Sequence, residues 1–494
     1  MKPLLLAGLT GLLFAFSLPL FDQEWLGWLA FAPLLIAAQG RRPLEAVGLG
    51  LIAGGICGAA QAGWYHDTAR LFWAYIPFLW LAFLLGFVAL AAARVPAAWN
   101  PMRRVLFLAC AGIAGEWLTS FLPLPLNIAL CQYQNLPLIQ IAGVTGIWGV
   151  SFLLWWVNAA LAELALRQNS LLTPNPGGTG EGPVSVPAPP ELGAGRAIRN
   201  VLPLGIGVAL ALLSLGYGGL RLSHPPTTPR LRVAAIQDLT REETGDLAPL
   251  GAEADRTLLT RRAAARGAKL IVWSEESLGG EFTPTSPKDE TRRLAKQLQT
   301  ALVVGYSDGT RPKPFNCATY VGPDGDVLGP AHHKIHLYLS ERETNQPGHS
   351  GTVVETPQGK IGLEICFDSC YTNTTRQEAG QGARLIALPN YDPPTPRGVL
   401  HRLHGNMLPF RAVENAVPFV RADSNGLSQI VDAQGRIVGQ SPLFTPDVLI
   451  GDVALGDGRG TFFTRFGDWL AYVCLAVVCG SPLVELRPRR GPKV

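Results

Sequence analysis

The sequence predicts two architectures in one chain: an α-helical transmembrane bundle of about eight spans, and an α/β domain over 228–460 inserted before the last span. Three observations lead there. From Met1 to about Leu166 the chain runs through long apolar stretches with few charges. From 228 to 460, short strand-like runs alternate with helical ones. The whole chain is only 16% charged, whereas a soluble protein carries about 25%.

A helix that crosses a bilayer needs about 20 predominantly apolar residues. Stretches of that kind occupy roughly 3–20, 25–39, 45–64, 71–93, 105–122, 143–166, 200–220 and 467–484. Lys2 precedes an apolar core as in a signal peptide, but no small-residue cleavage site follows, so this helix is expected to be retained. Arginine placement sets the orientation. With the N-terminus inside, the inside segments hold Arg41 and Arg42, then Arg94, Arg103 and Arg104, then Arg167, Arg196 and Arg199, and last "RPRRGPK". The outside loops hold Asp22 and Glu24, then His66, Asp67 and Arg70, then 123–142 with no charge. The expected organisation is a six-span region at 1–166, a cytoplasmic Pro/Gly-rich linker at 167–199 and a seventh helix at 200–222. An extracytoplasmic domain at 228–460 and a last helix at 467–486 follow.

The net charge of +4, with no basic stripe among aromatics, argues against a nucleic-acid partner. Eight cysteines are too sparse for a disulfide scaffold, and no clustered Cys/His spacing suggests zinc, so no metal or cofactor is expected. Within the α/β domain, "LRVAAIQ" (231–237), "KLIVWSE" (269–275), "ALVVGYS" (301–307), "KIGLEIC" (360–366), "RLIALPN" (384–390) and "VPFVRADS" (417–424) read as strands. Helical composition occupies 253–267, 288–299, 370–381 and 399–415. The stretches 320–329 and 430–439 read as hairpins with Asp-Gly and Gln-Gly at their tips, so the sheet should have antiparallel parts.

Glu275, Lys334 and Cys366 sit where strands end, a common place for catalytic groups. A thiol is a poor nucleophile at neutral pH unless a base takes its proton or a cation lowers its pKa. Glutamate can be that base, and lysine can stabilise the oxyanion on an attacked carbonyl. Read singly, each residue has a plainer account: a salt-bridged glutamate, a surface lysine, and a core cysteine or half of a disulfide with Cys370.

Taken in order, "WSE", "HHKIHL" and "EICFD" resemble the Glu–Lys–Cys triad of the nitrilase superfamily, and "PFRAVENAVPFVRADSNG" (409–426) resembles its segment leading into a late strand. With apolar spans on both sides, the chain is most similar to the apolipoprotein N-acyltransferase family. "FSLPLFDQEWLGWLAFAPLL" and "LPLIQIAGVTGIWGVSFLLWWVNAAL" resemble that family's membrane regions. The resemblance implies a nitrilase-like αββα domain. It also implies that Glu275 accepts the proton of Cys366, whose sulfur attacks a phospholipid acyl ester while Lys334 holds the oxyanion. The thioester then passes its acyl chain to the α-amine of a diacylglyceryl-modified lipoprotein at the bacterial inner membrane. Glu341 lines up with a family glutamate at a spacing one residue shorter, and Asp368 stands where the family has glutamate.

Glu364 departs from the family's apolar residue, and by alternation points to the side of Cys366 unless the strand breaks early. The loop 121–130 lacks the family's aromatic-glycine character, and "NYDPPTPRG" (390–398) lacks its tryptophan. Glu276 beside Glu275 is a second candidate base, and the "WSE" match favours Glu275. Three other functions fit parts of the chain: a membrane-tethered amidase, a non-catalytic scaffold, and a transporter built on the intramembrane Glu116 and Glu163.

Overall fold

The computed structural model describes residues 1–62, 68–96, 98–122, 125–172, 191–238, 255–278, 289–309, 313–393 and 398–485. Runs rich in Val, Ile, Leu and Ala between turn residues produce two six-stranded sheets. One has the order β12-β1-β2-β3-β4-β5. Its strands are β1 (Arg230–Gln237), β2 (Leu270–Val272), β3 (Ala301–Ser307), β4 (Asn316–Val321), β5 (Val327–His333) and β12 (Asp447–Ala454). The other has the order β11-β10-β9-β8-β7-β6. It contains β6 (Thr352–Thr356), β7 (Gly359–Leu363), β8 (Leu385–Asn390), β9 (Phe419–Asp423), β10 (Gln429–Val431) and β11 (Ile437–Gln440). The centre of each sheet is parallel, β1-β2-β3 and β7-β8-β9. The flanks are antiparallel.

Val233, Val272, Val303, Leu363, Ala387 and Val420 pack between the sheets as one core. The outer face of the first sheet is covered by helices Arg256–Ala265 and Glu290–Leu298. Asp255 and Asp289 cap these helices, each accepting from a backbone N–H of the first turn at 2.7 and 2.8 Å. Helix Leu408–Asn415 covers the outer face of the second sheet. The layers are therefore αββα.

Strands form at all six expected places, and both hairpins pair as β4/β5 and β10/β11. Strands β6 and β12 are additions. β12 pairs along the whole of β1, from Arg230↔Ala454 to Gln237↔Asp447, joining the two ends of the domain. The helix expected over 399–415 divides into Val399–Gly405 and Leu408–Asn415, with Pro409 in the first turn of the second, where no amide donor is required.

Each of the eight apolar stretches contains a helix: Lys2–Ser17, Ala32–Ala38, Pro43–Ala62, Thr68–Arg94, Pro101–Thr119, Ile147–Leu172, Glu191–Leu222 and Trp469–Glu485. Among the described residues, four are long and apolar enough to cross a membrane by length and composition: Pro43–Gln61, Tyr75–Arg94, Ile147–Gln168 and Ile198–Leu222. The 25–39 stretch is divided by a turn at Glu24–Trp28, and Pro101–Thr119 carries Arg103, Arg104 and Glu116. Helices take both ends of the expected linker, running to Leu172 and restarting at Glu191; 173–190 lies outside the described residues. So do His66, Asp67 and the "RPRRGPK" tail.

The charges weighed for a transporter are enclosed by donors. Glu163 bonds Arg104 Nε at 2.8 Å and Arg167 Nε at 2.6 Å. Glu116 accepts from Trp155 Nε1, Ser151 Oγ, Asn127 Nδ2 and the Ile128 amide. Satisfied in this way, both hold the helices and the 125–132 turn in place.

The sandwich sits directly on the helices. Ile365, Cys366, Phe367, Cys370, Leu403 and Phe410 belong to the same buried cluster as the helical core. Across the seam, the Ile147 amide donates to Glu414 Oε1 at 2.8 Å and Trp148 Nε1 to Asp468 Oδ1 at 2.8 Å. The surface carrying Cys366 thus faces the apolar region.

Candidate active site

Glu275 follows β2, Lys334 follows β5 and Cys366 follows β7, and all three line one cavity of about 580 Å³. Glu275 comes close to β3 because residue 305 is glycine. A Cβ there would lie 2.7 Å from the Glu276 amide nitrogen and 2.8 Å from the Ser274 carbonyl oxygen. Cys366 has φ +48°, the left-handed region that costs a non-glycine residue about 1 kcal/mol or more. Strain of that kind persists where the surroundings over-determine it, and it concentrates at functional sites.

Lys334 is buried between two carboxylates. Its Nζ donates to Glu275 Oε1 at 2.7 Å and to Glu341 Oε1 at 2.8 Å. Asn316 Nδ2 donates to the same oxygens at 2.7 and 3.3 Å, and the Tyr338 amide to Glu341 Oε2 at 2.7 Å. Burial pushes the Glu275 carboxyl up to about 7, against the pull of Lys334, with Glu341 adding to the rise. Burial opposes the charge on Lys334, but Cys366, Glu275 and Glu341 outweigh it and hold the ammonium well above its usual range. The Cys366 thiol is pushed well above its ordinary value by burial and by Glu275, with Lys334 opposing. The resting sulfur is therefore a thiol, and it needs a base during attack. Glu276 also faces this cavity, but its backbone is left-handed at φ +47°, and the ion pairs of Lys334 go to Glu275 and Glu341.

Asp368 is fully buried and ties the lysine loop to the cysteine turn. Its Oδ1 accepts from the Ile335 and His336 amides at 3.1 and 2.9 Å and faces His336 Nδ1 at 3.1 Å. Its Oδ2 faces His332 Nε2 at 2.8 Å and accepts from the Ile365 amide at 3.2 Å. Burial alone would raise this carboxyl, but the two histidines hold it well below the usual range.

Glu364 sits elsewhere. Strand β7 stops at Leu363, and Glu364 Oε1 accepts from Thr375 Oγ1 at 2.6 Å, on the helix Thr372–Gly380. Leu363 points into the core between the sheets, so alternation puts Glu364 on the outer face, and the end of the strand with the left-handed backbone at Cys366 takes the cysteine off that face. Burial raises its carboxyl to about 8, and Glu378 beside it is raised well above its usual value by burial and by Glu364. A raised carboxyl of this kind lowers stability as pH climbs from the unfolded value near 4.5 towards 8, because only the unfolded chain ionises in that window. Glu364→Gln should keep acyl transfer within about 3-fold and flatten this pH dependence in thermal unfolding, since amide and neutral acid accept alike. A loss of activity above about 10-fold would return Glu364 to the site.

Sequence reasoning missed the support behind Cys366. Asp392 lines the cavity, and its Oδ1 pairs with His404 Nδ1 at 2.8 Å. His404 Nε2 reaches the Cys366 carbonyl at 3.2 Å and Ser369 Oγ at 3.0 Å. Arg421 bonds Asp392 and also Asp423 Oδ2, the latter at 3.0 Å. The Asp392 charge lifts His404 to about 10 against the effect of burial, so the imidazole is cationic at neutral pH. Cys366 Sγ, Asp392 and His404 could together present three metal donors within 4.8 Å of one another. Arg421 on the same carboxylate and the bonds of His404 already saturate that group, so it reads as ionic support for the cysteine turn. Asn316 was missed too, although a buried asparagine at the start of a strand is a usable signal. All eight cysteines are free, including Cys366 and Cys370. Residues 394–397 of the "NYDPPTPRG" loop lie outside the described residues.

Residues 232–461 match the carbon-nitrogen hydrolase family, and residues 10–160 match the apolipoprotein N-acyltransferase N-terminal domain. The apolipoprotein N-acyltransferase of Geobacter metallireducens is 30% identical over 96% of this chain and 93% of its own length. That of Gloeobacter violaceus is 25% identical over 94% of this chain and 91% of its own. Among solved structures, an amidase from Nesterenkonia sp. is 22% identical with a TM-score of 0.39, covering 50% of this chain and 98% of that one. With both regions matched and the similarity spanning nearly the whole length, the chain belongs to the apolipoprotein N-acyltransferase family.

Proposed function

We propose that the chain transfers an acyl chain from a phospholipid to the α-amine of a diacylglyceryl-modified lipoprotein, with Cys366 as the acyl carrier. The observation that carries the residue assignment is the Lys334 ammonium clamped between Glu275 and Glu341 in one cavity with a strained, buried Cys366. In the first step Cys366 Sγ bonds to the ester carbonyl carbon as its proton passes to Glu275. The negative charge on the carbonyl oxygen develops beside Lys334. The carbonyl re-forms, the C–O bond to glycerol breaks, and Glu275 returns the proton to the leaving alkoxide. In the second step the amine attacks the thioester carbonyl and gives its proton to Glu275, the C–S bond breaks, and Glu275 passes the proton to the departing sulfur to restore the thiol. Glu341 and Asn316 hold Lys334 and Glu275 in register throughout.

Mass spectrometry of the intact protein purified from membranes tests this. An acyl-sized mass on Cys366, removed by hydroxylamine, supports it, and an unmodified cysteine after incubation with phospholipid overturns it. The pH dependence supplies a second check. With Glu275 raised to about 7, the rate of acyl-enzyme formation rises as pH climbs through that value and then levels, because the base must be ionised to act. Glu275→Gln should remove the rise and slow the step by about 10²–10⁴-fold. A rate unchanged between about pH 6 and 8 would count against Glu275 as the base.

All eight apolar segments cross the bacterial inner membrane in this reading, with the sandwich on the extracytoplasmic side, as the arginine-rich inside loops direct. An alkaline phosphatase fused after Val494 should then be inactive, and an active fusion would reverse the topology. Holding both lipid substrates at the bilayer surface avoids extracting a chain, which costs about 0.8 kcal/mol per methylene.

A further inference from the structure

A second cavity, of about 820 Å³, lies beside the Cys366 cavity at the seam between the sandwich and the helices. The stretch 334–345 divides the two. Tyr338 and Glu341 face the smaller one, while Arg342 and Asn345 line the larger. The lining of the larger cavity also includes Arg376. Neither guanidinium has an ion pair or a side-chain hydrogen bond among the described residues, and neither is among the residues with an interaction elsewhere. Arg376 is half-buried and packs against Gly467, where φ is +60° and a Cβ would stand 3.3 Å from Cζ of the guanidinium. The acidic side chain on the wall is Asp468, whose Oδ1 is occupied by Trp148 Nε1 at 2.8 Å and Thr372 Oγ1 at 3.2 Å. The other titratable groups of the lining are His336, which faces Asp368 Oδ1 at 3.1 Å, and Cys370, Tyr371 and Tyr472. One half-buried and one exposed guanidinium share this lining with a single carboxylate, which leaves an excess positive charge that an anion would satisfy.

The rim places that anion at the level of lipid headgroups. Phe121, Phe466 and Tyr472 are 63%, 53% and 53% exposed, and the apolar helix Trp469–Glu485 begins beside them. Exposed aromatic side chains at the end of an apolar helix mark the water–lipid interface.

We infer that this cavity binds the phosphodiester of the glycerophospholipid that donates the acyl chain, with the Arg342 and Arg376 guanidiniums on the phosphate oxygens. The ester carbonyl then lies on the Cys366 side of the 334–345 stretch. The inference rests on the acyl-transfer reading and adds the group by which the donor is recognised. Planar guanidiniums suit phosphate because each can donate two parallel hydrogen bonds.

The test uses the full-length protein in detergent micelles and follows acylation of Cys366 by mass with two donors. One donor is a phosphatidylglycerol at varied mole fraction, and the other is a p-nitrophenyl acyl ester without phosphate. In Arg342→Gln and Arg376→Gln, efficiency with the phospholipid relative to the ester should fall about 10-fold or more, mostly as a rise in half-saturating lipid. Arg376→Lys should recover part of this. Because Arg376 packs at the helix junction, Arg342→Gln, at an exposed side chain, serves if the other variant does not fold. An equal fall with both donors, or no fall with the phospholipid, overturns the inference. If the fall is absent while inorganic phosphate inhibits the wild type, the cavity takes free anions and the headgroup assignment is wrong. If only transfer to the lipoprotein acceptor falls, the cavity serves the acceptor and the assignment is equally wrong. A wild-type protein acylated by neither donor would instead overturn the acyl-transfer reading itself.

Discussion

Cys366→Ala protein should carry no acyl group and transfer none, with a loss of about 10⁴-fold or more, as expected when the only nucleophile of a covalent mechanism is removed. Cys366 is 3% exposed and its thiol protonated at rest, so the loss reflects missing chemistry and not a missing surface charge. Stability gives an independent readout of the same position. The backbone there is left-handed at φ +48°, a conformation that glycine adopts freely and alanine does not. Cys366→Gly should therefore match or exceed Cys366→Ala in stability, by up to about 1 kcal/mol, although both are inactive. Hydroxylamine-labile acyl groups persisting in either variant, at Cys370 for instance, would sink the assignment.

Asp368→Ala should be the most destabilising single change in the site, by about 3–5 kcal/mol, because it strips the partner from buried polar groups on two loops at once. Three backbone amides and two histidine nitrogens converge on this one carboxylate. Without it, the segment carrying Lys334 is no longer tied to the turn carrying Cys366. The folded-state carboxyl is held below its unfolded value, so its contribution is fully present above about pH 4 and is lost as pH falls through the folded-state value. Thermal unfolding of the full-length protein in detergent at neutral and acidic pH checks both halves of this. The wild-type–variant gap should be widest at neutral pH and narrow in acid. Equal melting temperatures at neutral pH would show that Asp368 ties nothing together. Asp368→Glu adds a methylene to a fully packed place and should cost about 1–3 kcal/mol.

Much of the site was legible as a set of residue types at strand ends. Glu275, Lys334 and Cys366 each follow an apolar run, and the chemistry of a thiol requires a base and a cation near it. Glu341 and Asp368 could be named from resemblance alone, but their work could not. The sequence left Glu341 as an uncertain match at a shortened spacing, whereas the fold makes it the second carboxylate on Lys334 Nζ. Asp368 looked like a carboxylate with less reach. It is instead a tie between two loops, because the histidines of "HHKIHL" fold back onto it.

By itself the sequence determined what local periodicity and residue chemistry can encode: the apolar segments, the alternating strands and helices of the sandwich, and the candidates Glu275, Lys334 and Cys366 at strand ends. Only the tertiary structure decided which side chains meet. Strand β12 lies along β1 because an edge strand needs a partner, and no short-range pattern records a pairing between the two ends of a domain. Glu364 faces helix Thr372–Gly380 and not Cys366 because strand β7 ends at Leu363, and the left-handed backbone at Cys366 takes the cysteine off the face that regular alternation would share with Glu364. Asp392, His404 and Arg421 come from three separate elements, so their charges carried no signal until the fold brought them behind the cysteine turn. The same holds for Arg342 and Arg376: in the sequence they are two ordinary surface cations, and the seam between sandwich and helices places both on one cavity wall.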